Sequence, residues 1–109
     1  MTEKNMIRIR ENMEFIFSAD QLQRIRLYSD EVGKMKIQVD VHGMSCCEAR
    51  RFMNNLINTI GFDCSITVIH GYNHGTAIRD MLENQFDNCH VRNRQPDPFN
   101  PGRTFLSIA

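Results

Sequence analysis

The sequence predicts an α/β fold: a mixed sheet threaded β-α-β-α-β-β, with helices packed on it and an N-terminal extension in front. An apolar, β-branched run closed by His-Gly occurs twice, as Ile37-Gln38-Val39-Asp40-Val41-His42-Gly43 and as Ile66-Thr67-Val68-Ile69-His70-Gly71. Each copy has strand length and leads through a glycine turn into a stretch of helical spacing. Consecutive β-turn-α units place their strands side by side and parallel. Both His-Gly pairs then fall at the carboxyl edge of the sheet, where open α/β sheets build ligand sites. The His42 and His70 rings are expected to lie within side-chain reach of each other there.

The elements follow in order. Met6 to Phe17 alternates as a small hairpin would, with Ile7 and Ile9 facing Phe15 and Phe17 across a turn at Glu11-Asn12. Ser18 and Gln21 fit a capping box that opens a helix carrying Leu22, Ile25, Tyr28 and Val32, ended by Gly33. Residues 1–35 therefore read as an extension of hairpin and helix, and residues 36–109 as the α/β domain. Ser45-Cys46-Cys47-Glu48 forms a second capping box directly after the first His-Gly. Its helix places Ala49, Phe52, Met53, Leu56, Ile57 and Ile60 on one stripe, with Gly61 as the stop. After the second His-Gly, Thr76 is the expected cap of a helix whose inner face holds Ile78, Met81, Leu82 and Phe86. Cys89–Arg92 and Thr104–Ile108 read as strands, separated by a loop over 95–102 that contains all three prolines.

Composition excludes several classes. The chain has 109 residues, with thirteen Lys/Arg against thirteen Asp/Glu. The stretch from Ile37 onward has six basic and seven acidic residues, so no basic domain hides inside the neutral total. Tight non-specific affinity for polyanions is not expected, and any such binding must rest on local charge. No run approaches the roughly 18 apolar residues of a membrane span. The four cysteines lack a C-x-x-C spacing and no apolar leader follows Met1, so reduced thiols and a cytoplasmic location are expected.

Candidate chemistry gathers around the duplicated phrase. Asp40 and His42 are two apart on a strand and leave the same face. A carboxylate beside an imidazole orients it for general acid or base work, although Asp40 capping the next turn would use the same residues. Gly71-Tyr72-Asn73-His74-Gly75 lies between a strand and a helix start, where backbone N–H groups can hold an anion. Arg79 stands one turn into that helix, in reach of the same anion. His42, His70 and His74 are a conceivable metal set, but the turn at Gly71 breaks the helical spacing between the last two. No cofactor is called for, and a divalent metal is allowed but not indicated. Vicinal Cys46-Cys47 lacks a clear partner and reads as packing. Arg92, Arg94 and Arg103 flank the proline loop as a small phosphate-touching patch.

Val39-Asp40-Val41-His42-Gly43, then Ser45-Cys46-Cys47-Glu48-Ala49, then His70-Gly71 with Gly75 and Ile78-Arg79, resemble the Smr (small MutS-related) domain. Asn100-Pro101-Gly102 before the last strand resembles that family's ending. The resemblance covers about residues 36–109. It departs at Asn73, where the family usually has Gly, and at Val39, where Leu is usual. It implies a domain similar to the C-terminal domain of bacterial initiation factor three. It also implies nucleic-acid binding, to DNA or RNA, with nicking endonuclease or ribonuclease activity. Asp40 and His42 would be the catalytic pair. His70, Gly71, Asn73, His74, Gly75 and Arg79 would hold substrate phosphate. A non-catalytic binding or adaptor module of the same fold, or a binder of a small phosphate ligand, is the alternative. No membrane partner is expected, and a homo-oligomer is compatible with the sequence.

Overall fold

The computed structural model describes residues 3–71 and 75–109. Its elements are helix α1 (Glu3–Ile16), helix α2 (Ala19–Gln23), strands β1 (Ile25–Ser29) and β2 (Met35–Asp40), helix α3 (Cys46–Ile60) and strand β3 (Cys64–Ile69). Helix α4 (Ala77–Asp80) runs on into a π-helical turn (Met81–Gln85), followed by strands β4 (Val91–Pro96) and β5 (Arg103–Ile108). The five strands form one mixed sheet in the order β1-β2-β3-β5-β4. Strands β2 and β3 are parallel, with Ile37 beside Ile66 and Asp40 beside Ile69, as the repeated phrase predicts. The other three pairings are antiparallel.

Alternation along the strands divides the sheet into two faces. Met35, Ile37, Val39, Ile66, Val68 and Leu106 are buried on the inner face. The same core takes Ala49, Phe52, Met53, Leu56, Ile57 and Ile60 from α3, which is the stripe read from the sequence. Ser45 caps α3 by accepting the Glu48 N–H at 3.1 Å, the backbone half of the expected box. Gly61 ends the helix in the left-handed region, at φ 71°.

The first third of the chain departs from expectation. The segment read as a hairpin is α1, because its buried residues are Ile9, Met13 and Phe17, spaced four apart. Phe17 stacks on Phe52 of α3 with centroids 5.2 Å apart, while Phe15, expected to face Ile9 across a turn, is 91% exposed. The capping box at Ser18 and Gln21 forms on both sides, but its helix stops at Gln23. Ile25 to Ser29 is an edge strand that pairs with β2, where a continuing helix was expected. Thr76 does not cap α4 by its side chain; its hydroxyl donates to the Asp80 carboxylate at 2.9 Å. Met81, Leu82 and Phe86 are buried as expected, the first two from the π-helical turn.

Candidate functional site

The carboxyl ends of β2 and β3 and the amino-terminal ends of α3 and α4 surround a cleft of about 630 Å³. Its walls include His42, Ser45, His70, Gly71, Gly75 and Arg79, so both His-Gly pairs reach one cleft. Among the described residues no carboxylate lines it, and Arg79 is its cation. The Arg79 guanidinium is also 3.5 Å from Asp80 and 3.8 Å from Glu83.

His42 stands at the exposed lip, held by Asp40. The Asp40 Oδ1 accepts the His42 backbone N–H at 3.0 Å and lies 2.5 Å from the ring Nδ1. Asp40 is thus both turn former and ring orienter, two roles that spacing alone presented as alternatives. With Nδ1 donating to the carboxylate, Nε2 is the ring atom presented for proton transfer. A third residue fixes the strand end. The Arg24 guanidinium donates to the Asp40 and His42 carbonyls at 3.1 Å each, and the Arg24 carbonyl accepts the Asp40 N–H at 2.9 Å. Arg24, Asp20 and Gln23 border a shallow groove on the other side of Asp40 and His42.

His70 is turned inward and is buried. Its Nδ1 donates to the Gly71 carbonyl at 2.9 Å, which makes Nε2 of the neutral ring the acceptor of the Thr104 hydroxyl, also at 2.9 Å. The His70 and Gly71 backbone N–H groups both go to the Gly102 carbonyl, at 2.9 and 3.1 Å. These two residues therefore tie the β3 end to the loop before β5. Gly71 and Gly75 have φ of +73° and +102°, a backbone that only glycine adopts without strain. A Cβ on Gly71 would meet nothing closer than the His42 Cβ at 3.7 Å, so conformation and not clearance requires glycine there. Asn73 and His74 lie outside the described residues.

The other candidates separate. The Arg94 guanidinium donates to the Leu82 carbonyl at 3.4 Å and to the Phe86 carbonyl, and Arg92 donates to the Cys89 carbonyl at 3.2 Å. Arg94 thus closes the π-helical turn and does not join a patch with Arg103. Cys46 Sγ donates to the Ala77 carbonyl at 3.8 Å, while Cys47 is exposed. Among the described residues no three His, Cys, Asp or Glu side chains gather as a metal site. Nor is any helix among them long and apolar enough to cross a membrane. Arg24 and Thr104 escaped sequence reasoning. Only the alternation that buries Thr104 beside Leu106 and Ile108 hinted at the latter.

These features define a mixed-sheet α/β domain with a cleft at the ends of its parallel pair. No family model matches the sequence, and no curated protein does either. Among solved structures, the fold is similar to the Smr domain of MutS2 from Thermus thermophilus. The TM-score is 0.50 at 21% identity, over 66% of this chain and 96% of that one. At that identity the likeness is one of fold.

Proposed function

We propose that the chain is an Smr-like domain that binds nucleic acid and hydrolyses a phosphodiester bond at the His42 cleft. The observation that carries this reading is the Asp40–His42 pair, whose carboxylate orients the ring from Nδ1 and leaves Nε2 at the lip of a cleft that no described carboxylate lines. His42 Nε2 takes the proton of the attacking hydroxyl or water, and the resulting imidazolium returns a proton to the leaving oxygen. Arg79 and the amino-terminal end of α3, capped by Ser45, stabilise the phosphate charge. Gly75 shapes the phosphate side of the cleft, and Asn73 and His74 belong to the same proposed loop. His70 and Gly71 support it from within. The likeness to the MutS2 Smr domain supports the reading at the level of fold.

Labelled RNA and DNA of mixed structure, incubated with the purified chain, provide the test. His42→Ala and Asp40→Asn are each expected to slow cleavage about 10²–10⁴-fold with affinity nearly unchanged, because they move or orient a proton. Arg79→Ala is expected to weaken binding and flatten its salt dependence, because a phosphate contact releases counterions. Strand-end variants that cut as fast as wild type overturn the assignment. A binding module without chemistry draws on the pairing of Arg79 with Asp80 and Glu83, which tempers its charge, and is the outcome if binding occurs without cleavage.

A further inference from the structure

The core lies against one side of the sheet only. The strand positions that alternate with the buried ones form the other side, and they have a consistent chemistry. One cross-strand row reads Arg26, Gln38, Thr67, Phe105 and Gln95. The next reads Tyr28, Lys36, Ser65, Ser107 and Asn93. A last row, at the carboxyl edge, reads Asp40, Ile69 and Arg103. Tyr28 and Phe105 remain 38% and 37% exposed, large aromatic surfaces that folding leaves available. The Arg26 guanidinium lies over the Tyr28 ring, 5.9 Å from its centroid, so a cation adjoins a stacking surface. Arg26, Lys36 and Arg103 are the cations of these rows and Asp40 the sole carboxylate, already engaged by His42. Asp30 and Glu31 sit in the β1–β2 turn, at the end remote from His42.

We infer that the solvent-facing side of the sheet is a stacking platform for single-stranded nucleic acid, which it delivers to His42. The inference rests on the nucleic-acid reading proposed above and names its substrate class. Three properties favour this occupant. The chain is neutral overall, yet these rows are positive, matching a phosphate backbone without a strong long-range field. The aromatic rings stand on β1 and β5, three strand intervals and one row apart, roughly 16 Å, so each can take its own base. Hydroxyl and amide side chains between them can bond base edges or sugars of either polymer. A duplex hides its base faces and cannot use such a platform; an unstacked strand can. The row of Asp40, Ile69 and Arg103 is continuous with the His42 lip, so a strand lying on the face passes the proposed reacting group.

Fluorescence anisotropy of labelled single strands and duplexes, RNA and DNA, with the full chain tests the platform. Phe105→Ala and Tyr28→Ala are each expected to weaken single-strand binding roughly 5- to 100-fold. Phe105→Tyr should restore it and Phe105→Leu should not, which separates ring stacking from apolar burial. Lys36→Ala should reduce the salt slope by about 0.7, the share of one neutralised phosphate on a single strand. Neither ring belongs to the core, so only a modest shift in melting is expected, and a circular-dichroism melt of each variant checks that it stays folded. Unaltered affinity of both alanine variants, equal affinity for duplex, or no binding of any strand overturns the platform. Cleavage abolished in His42→Ala while face variants bind normally overturns the platform and spares the catalytic reading. Weaker stacking in the face variants of a chain that cleaves nothing does the reverse.

Discussion

Asp40 illustrates how one side chain acquires two roles from its place. It accepts a backbone N–H two residues on, which shapes the turn, and the same oxygen meets the imidazole. That pair was legible because strand alternation alone puts residues 40 and 42 on one side. Arg24 was not legible, since it acts on carbonyls 16 and 18 residues away and no local pattern encodes that reach. His70 was legible as a position but not as a job: spacing located it at the strand end, and only the partner strand supplies Thr104. Cys64 shows the same dependence on context. Burial, aided by the charge of Asp63, pushes its thiol from 9.0 up to about 12. The unfolded chain loses that proton near the ordinary thiol range while the folded chain keeps it, so stability falls as pH rises from about 9 towards 12. Denaturant titrations of wild type and Cys64→Ala across that window should show the wild type losing stability faster. Parallel curves would show that the thiol titrates alike in both states.

Helix α3 is legible in the sequence because its apolar stripe and both terminal signals agree. Phe52 is 2% exposed within that stripe and stacked on Phe17. Phe52→Ala is expected to cost about 3–5 kcal/mol in chemical denaturation by opening a cavity. A loss below about 1 kcal/mol would place Phe52 outside the packed interior. In helix α1 two periodicities compete, so its sequence resembles a hairpin. Ile7 and Ile9 against Phe15 and Phe17 suggest alternation, whereas Ile9, Met13 and Phe17 recur every four residues. Packing on α3 selects the second and leaves Ile7 and Phe15 in solvent. The reverse occurs at β1, where Ile25 and Tyr28 continue the helical spacing of Leu22 in α2. Pairing of Leu27 with Ile37 across the ladder decides the matter. Short segments carry too few residues for period to outvote a neighbouring strand.

The first 35 residues contribute to one continuous interior. Ile9, Met13, Phe17 and Leu27 join the cluster that β2, β3 and α3 build. Burial of such side chains contributes about 1.5–3 kcal/mol each, against a total domain stability of about 5–15 kcal/mol. Removal of residues 1–17 should therefore abolish or greatly broaden the thermal transition and expose dye-binding apolar surface. A sharp melt within about 5 °C of the full chain, the shift of roughly 1 kcal/mol, would make α1 dispensable. The strand order has a separate consequence. Strand β5, the last of the five along the chain, sits between β3 and β4, and among the described strands it is the only hydrogen-bonded neighbour of β4. During translation β3 thus presents a bare edge, and β4 has nothing to pair with, until residues 103–108 leave the ribosome. An unpaired, β-branched edge is an invitation to other nascent strands. A nascent chain halted after β3 has emerged and before residues 103–108 do would hold an adhesive half-sheet, and the six residues of β5 cover that edge.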